Sequence, residues 1–225
     1  MMPFPGGLED ASNGALLLSV GAAILYLFAV DAEPSLRRTA IKTLSIALLA
    51  VLAFQQGGPW LLVLTLAISA VGDACLSREG DRAFLGGVGS FFAVHIAYAA
   101  LFLSHGHGWF TPIASDALLA VIAFFMTVTT AATLNILLRK VPRALRLPVL
   151  AYGAAILLMG LASLTTGHFG IVVGAILFMA SNTILAFVRF VTSSLGEGRW
   201  MARHAAWALY YAAQLLIVLG VIFAG

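Results

Sequence analysis

The twelve Lys and Arg residues fall into four clusters, and long runs with almost no charge separate them. Arg37, Arg38 and Lys42 form the first cluster, and Arg78 and Arg82 the second. Arg139, Lys140, Arg143 and Arg146 form the third, and Arg189, Arg199 and Arg203 the fourth. A run of about 20 apolar residues is the length of a membrane-crossing helix. Charge makes up 9% of the chain, against about 25% in a soluble domain, and mean hydropathy is +1.04. Lipid is the solvent this composition requires. A β-barrel needs segments of about ten alternating residues, whereas these runs are unbroken, so the fold class is all-α.

Eight spans are expected in one transmembrane bundle over residues 1–225: 14–31, 40–56, 59–77, 83–103, 115–138, 147–165, 168–190 and 203–224. With that count every basic cluster lies at an odd-numbered loop. The positive-inside rule then makes those loops cytoplasmic and puts both termini on the other side. The basic loops account for a pI near 9.4, so no nucleic-acid partner is needed. The N-terminal segment is acidic and lacks the basic start of a signal peptide; the first run reads as a retained span. Ten of the twelve basic residues are Arg and Ala is abundant, which suggests a GC-rich bacterial genome and the inner membrane.

Asp73 lies within the third run, Pro59 to Leu76. A carboxylate at the centre of a span costs roughly 2.5–3.5 kcal/mol on insertion scales, so a partner or a function is expected there. At 1.5 Å per residue, Asp73 is about one turn from the cytoplasmic end. Ser181 and Asn182, Tyr210, Tyr211 and Gln214, Lys42 and Tyr152 also fall toward that leaflet, from four further spans. His95 and Tyr98 share a helix face nearer mid-membrane. The convergence suggests a polar pocket open to the cytoplasmic leaflet. The plainer reading is that Asn, Gln, Ser and Tyr tie membrane helices together for about 0.6 kcal/mol each, and that Lys42 snorkels to headgroups.

Other signals are weaker. His105 and His107 sit on the fourth loop and His168 opens the seventh span on the same outer side, and three His can ligate zinc; without a Cys or carboxylate pattern, apart from Asp116 nearby, a wet loop fits better, and no metal is expected. Cys75, the one cysteine, reads as a small packing residue. Gly86-Gly87-x-Gly89 suits close helix packing. Gly72-Asp73-Ala74-Cys75-Leu76 can be laid over Ser181-Asn182-Thr183-Ile184-Leu185 four spans later, a short echo of parallel duplication.

Ordered stretches carry a family resemblance. They are Ser69 to Leu76, Phe84 to Tyr98, Gly174 to Ala186, and Tyr211-Ala212-Ala213-Gln214. Together they resemble the YhhN-like family of integral membrane proteins, in which Lys42 also has a counterpart. The resemblance implies lysoplasmalogenase chemistry: hydrolysis of the vinyl-ether bond of a lysoplasmalogen to a fatty aldehyde and a glycerophospho-alcohol. It implies catalytic positions 73 and 182, with Lys42, His95, Tyr98, Ser181, Tyr211 and Gln214 around the substrate, Lys42 meeting the phosphate. Water is the co-substrate and no cofactor is implied. Where the family reads Ser-Asp, this chain has Ser181-Asn182, so one of two carboxylates is replaced and weak activity is expected. The rival readings are a non-catalytic lysolipid binder or flippase, a proton-coupled transporter titrating Asp73, and a zinc-dependent amide hydrolase.

Overall fold

The computed structural model describes residues 3–106, 108, 110–191 and 196–224, and the described residues are helical without a strand. The helices are α1 (Ala11–Leu27), α2 (Leu36–Gln55), α3 (Trp60–Leu76), α4 (Asp81–His105), the short α5 (Thr111–Ser115), α6 (Ala117–Lys140), α7 (Arg146–Ser163), α8 (Phe169–Phe190) and α9 (Gly196–Ala224). Each expected span has a helix. α1 ends four residues before its expected span does, and α2 and α9 begin four and seven residues before theirs. The first turns of α2 and α9 carry Arg37 and Arg38, and Arg199, which an apolar-run criterion excludes but a helix accommodates.

Among the described residues five helices are long and apolar enough to cross a membrane: α4, α6, α7 with its flanking turns, α8 and α9. The apolar α1 and α3 have 17 residues each, about 25 Å of helix against a hydrocarbon core of about 30 Å. The chain is an all-helical, multi-pass membrane protein.

Caps set several of these boundaries. The Asp10 carboxylate accepts from the amides of Ser12 and Asn13 at 2.8 and 3.2 Å, and Asp116 does the same for Leu118 and Leu119 at 2.8 and 3.1 Å. Each satisfies amides that a helix start leaves unpaired. The α2–α3 turn uses Gly57 at φ 66° and the α7–α8 turn uses Gly167 at φ 69°, a left-handed conformation that glycine adopts without steric cost.

The described residues form two compact units. The first holds residues up to Ala97 together with Val221 onward, and the second Tyr98 to Gly220. In the first unit α2 packs between α1 and α3. Ile46, Leu49, Leu52, Leu62 and Leu66 are fully buried there. The Ser19 hydroxyl donates to the Ser45 carbonyl at 2.6 Å and Gln56 donates to the Ser12 hydroxyl at 2.7 Å, tying α1 to α2 and its end. A Cβ on Gly87 would sit 2.4 Å from the Leu76 side chain, and one on Gly86 3.4 Å from the Cys75 sulfur. These two glycines bring α3 and α4 close, whereas Gly89 faces open space.

In the second unit α7 packs on α6 and α8, with Phe178, Met159, Ala162 and Ile217 in the core. A Cβ on Gly174 of α8 would meet the Ala213 carbonyl of α9 at 3.0 Å and the Ile217 side chain at 2.7 Å. Backbone cannot give way as a flexible side chain can. Gly174→Ala is therefore expected to lower stability by about 1–3 kcal/mol, the usual cost of overpacking. Gly89→Ala, with nothing in its way, is expected to raise it by up to about 1 kcal/mol through helix propensity. Thermal unfolding of the purified variants in one detergent checks the opposite signs.

Candidate functional site

Two helices joined by a tight turn run antiparallel, so residues equally far from the turn lie at the same depth. Lys42 is fifteen residues before Gly57, and Asp73 is fifteen after Gly58. The α2–α3 hairpin thereby brings the Lys42 Nζ to 3.0 Å from the Asp73 Oδ1. Asp73 is 1% exposed and the Lys42 side chain 13%. At about 4 Å and an effective dielectric near 20, unit charges attract by about 4 kcal/mol, which offsets much of the cost of holding both away from water.

Further groups hold the lysine, none of them suggested by the apolar pattern. Its ammonium lies 5.7 Å from the centroid of the Tyr26 ring of α1, within reach of the ring's negative face. Arg38, one helical turn before Lys42, lies 5.9 Å from the same centroid. Arg38 also closes helix ends. It donates to the carbonyls of Ala29 and Val30, just past α1, each at 3.2 Å, to the Ser77 carbonyl after α3 at 3.4 Å, and to the Tyr26 hydroxyl at 3.3 Å. One guanidinium thus meets carbonyls just past the ends of α1 and α3, where helix termini leave such groups short of partners. Ser77 donates its hydroxyl to the Asp73 carbonyl at 2.7 Å. The i, i+4 spacing of Arg38 and Lys42 was the available clue to this cluster; Tyr26 gave no clue beyond its place near the end of an apolar run.

The expectation that Lys42 meets a phosphate at the membrane rim has to reckon with this geometry, in which its charge is engaged by Asp73. His95, in the same unit, is buried and its Nδ1 meets the Phe91 carbonyl one turn back in α4.

The second unit repeats the hairpin arrangement with neutral groups. Tyr152 is fifteen residues before Gly167, and Asn182 is fifteen after it. The Tyr152 hydroxyl donates to Asn182 Oδ1 at 2.9 Å, and Asn182 Nδ2 donates to the Phe178 carbonyl at 2.9 Å. Both ends of the amide are used. The short sequence echo between residues 72–76 and 181–185 thus extends to the partner helices: Tyr152 stands to Asn182 as Lys42 stands to Asp73. The Tyr98 hydroxyl donates to Gln214 Oε1, and Gln214 Nε2 donates to the Tyr210 hydroxyl at 3.4 Å. Ser181 donates to the Ala206 carbonyl at 2.7 Å and so ties α8 to α9. Tyr211 packs by its ring near Trp207, centroids 6.3 Å apart.

Among the described residues no three His, Cys, Asp or Glu side chains gather as a metal site. His105 meets the Leu101 carbonyl with its Nδ1 at 2.9 Å, and His107 lies outside the described residues.

Buried ionisable groups on apolar helices define a membrane protein with an intramembrane polar site. The chain belongs to the YhhN family, whose model matches residues 37–221. It is 34% identical over 207 residues to lysoplasmalogenase TMEM86B of Mus musculus, covering 90% of this chain and 83% of that one. The same protein of Sus scrofa is 34% identical over 208 residues, covering 89% and 82%. That of Homo sapiens is 32% identical over 172 residues, covering 75% and 66%. No solved structure matches the chain.

Removing one member of the ion pair leaves the other buried alone. Lys42→Met and Asp73→Leu are each expected to cost about 3–5 kcal/mol, while the double substitution is expected to recover most of that loss. A double-mutant cycle on thermal unfolding in detergent reads the difference.

Proposed function

We propose that this protein is a lysoplasmalogenase-type hydrolase, acting on the vinyl-ether bond of lysoplasmalogens with water as co-substrate. The observation that carries this reading is the buried Lys42–Asp73 pair on apolar helices, in a chain whose curated relatives carry the lysoplasmalogenase name. The chain crosses the membrane eight times with its basic loops in the cytoplasm, and the membrane is a bacterial inner membrane.

The chemistry follows from the bond. A vinyl ether is not opened by nucleophiles as an ester is. Its double bond first takes a proton on the carbon remote from oxygen, and the cation that forms is an oxocarbenium ion, as in glycoside hydrolysis. An ammonium beside a carboxylate holds one transferable proton within a pair of zero net charge. The pair delivers that proton, and the π electrons form the new C–H bond. The Asp73 carboxylate remains as the counter-charge to the cation, in surroundings where water competes little. Water then adds to the cationic carbon and returns its proton to the Lys42 amine. The hemiacetal collapses with cleavage of its C–O bond and a proton passing to the leaving oxygen. The products are the aldehyde and the glycerophospho-alcohol.

Position 182 is the second catalytic position. An asparagine there orients water by hydrogen bonds but contributes no charge, so the chain as written is slow. His95, Tyr98, Ser181, Tyr211 and Gln214 are the positions that the family resemblance assigns to substrate binding. Asn182→Asp is expected to raise aldehyde release by about 10²- to 10⁴-fold, the usual span of a general acid–base group. On that background, Asp73→Asn and Lys42→Met are each expected to remove at least about 10²-fold. Incubation with a lysoplasmalogen and mass-spectrometric detection of aldehyde measures all of these. Activity untouched by both substitutions at the pair contradicts the mechanism. A protein that binds lysolipid yet releases no aldehyde in any of these forms is the binder or flippase instead.

A further inference from the structure

Beside the ion pair, within the first unit, lies a cleft of about 290 Å³. Its walls are Thr43 of α2, Ala70, Val71, Ala74 and Cys75 of α3, Arg78 just past α3, and Ala83 of α4. Thr43 follows Lys42 in sequence, and Ala70 and Ala74 flank Asp73. Apart from Thr43 and Arg78, the lining side chains are small and apolar. Small side chains on three neighbouring helices leave a trough that lipid or ligand must fill, because bare apolar walls forgo the contacts of a packed interior.

Two polar features set the cleft apart from an ordinary gap at a lipid-facing surface. Thr43 Oγ1 is the one buried side-chain oxygen or nitrogen among the described residues without a hydrogen-bond partner, an omission that costs about 1–3 kcal/mol. Arg78 is exposed at the end of the trough. Glu79 and Asp81 are close in sequence, yet Arg78 has no ion pair or side-chain hydrogen bond among the described residues. Lys42 is engaged by Asp73, and Arg38 by four oxygens. Among the described residues Arg37 of α2 is likewise without an ion pair or side-chain hydrogen bond, but it does not line the cleft. Arg78 is the cation at the cleft with its fork of donors available, and a guanidinium is matched to phosphate.

We infer that the cleft seats a single-chain phospholipid, its hydrocarbon chain along Ala70, Val71, Ala74 and Cys75 and its phosphate on Arg78. At about 290 Å³ the cleft falls just below the range for ligand pockets, about 300–1,000 Å³, and suits part of one hydrocarbon chain better than two. The inference rests on the proposed function for the kind of lipid, and it adds the place where chain and phosphate sit. The phosphate role moves from Lys42 to Arg78, which leaves the ion pair intact while substrate is bound.

Cys75 is the only cysteine of the chain and lines the cleft, so its alkylation reports occupancy. Protein in nanodiscs of diacyl phosphatidylcholine is treated with a small apolar maleimide, and the labelled fraction is followed by mass spectrometry. Lysophosphatidylcholine is expected to slow labelling about tenfold at ten times its Kd. A monoacylglycerol with the same chain, lacking phosphate, is expected to protect several-fold less. Arg78→Gln is expected to bring lysophosphatidylcholine down to the monoacylglycerol level. A control protein with Cys75→Ala and Val51→Cys, its thiol outside the cleft, is expected to label at a rate that lysolipid leaves unchanged.

No slowing overturns the inference. So does equal protection by the two lipids in the unsubstituted protein, or equal slowing at position 51. Protection by lysophosphatidylcholine with no aldehyde released from a lysoplasmalogen, even by the Asn182→Asp protein, removes the hydrolase reading and leaves the seat; aldehyde release from the lysoplasmalogen without protection removes the seat and leaves the hydrolase.

Discussion

Two opposite charges 3.0 Å apart, on helices too apolar for either to stand alone, constrain everything around them. Asp73 cannot be inserted cheaply without Lys42, and Lys42 cannot point inward without Asp73. Their meeting fixes the register of α2 against α3. It also requires Tyr26 to offer its ring face to the ammonium, and Arg38 to secure the ends of α1 and α3 around it. A one-turn slip of either helix would leave two unpaired charges in an apolar setting. The site is therefore part of what selects the fold of the first unit, and the catalytic proposal needs no extra apparatus to hold its groups in place.

The same construction recurs in the second unit in neutral form. Each hairpin turns on a left-handed glycine, Gly57 or Gly167; the partners lie fifteen residues before Gly57 and fifteen after Gly58 in the first, and fifteen to either side of Gly167 in the second. In one the partners are an ammonium and a carboxylate; in the other they are a phenol and an amide 2.9 Å apart. A Tyr–Asn hydrogen bond is cheap to hold in lipid, whereas an ion pair is not. The second hairpin holds position 182 in the same geometry as the first holds Asp73, with neutral partners in place of charged ones. This explains why a carboxylate there, next to the Tyr152 hydroxyl, is the change most expected to alter the chemistry.

The sequence made much of this legible. Apolar runs of membrane length identify the helices, because lipid leaves a helix few alternatives for its backbone. The insertion cost of Asp73 singled it out before any contact was known. The partner was harder to see. Lys42 lies next to a basic loop, where snorkelling to headgroups is the usual fate of a lysine, and only the equal count from the glycine turn reveals that it reaches Asp73. Tyr26 and Arg38 were not legible as site residues, since an aromatic near a span's end and an arginine beside a loop are ordinary there. The hydrogen bonds of Ser181 and His95 go to backbone carbonyls, contacts that side-chain identity alone does not specify. Helix starts at α2 and α9 were displaced because charged first turns are invisible to a hydropathy window.

The central claim is that the Lys42–Asp73 pair delivers a proton to carbon. It is tested most directly by running the Asn182→Asp protein on a lysoplasmalogen in D₂O and locating the label in the aldehyde. The account predicts one deuterium on the carbon next to the carbonyl, at a rate that collapses when Lys42 is replaced by Met. Aldehyde without deuterium at that carbon, or labelled aldehyde formed equally fast without Lys42, contradicts it.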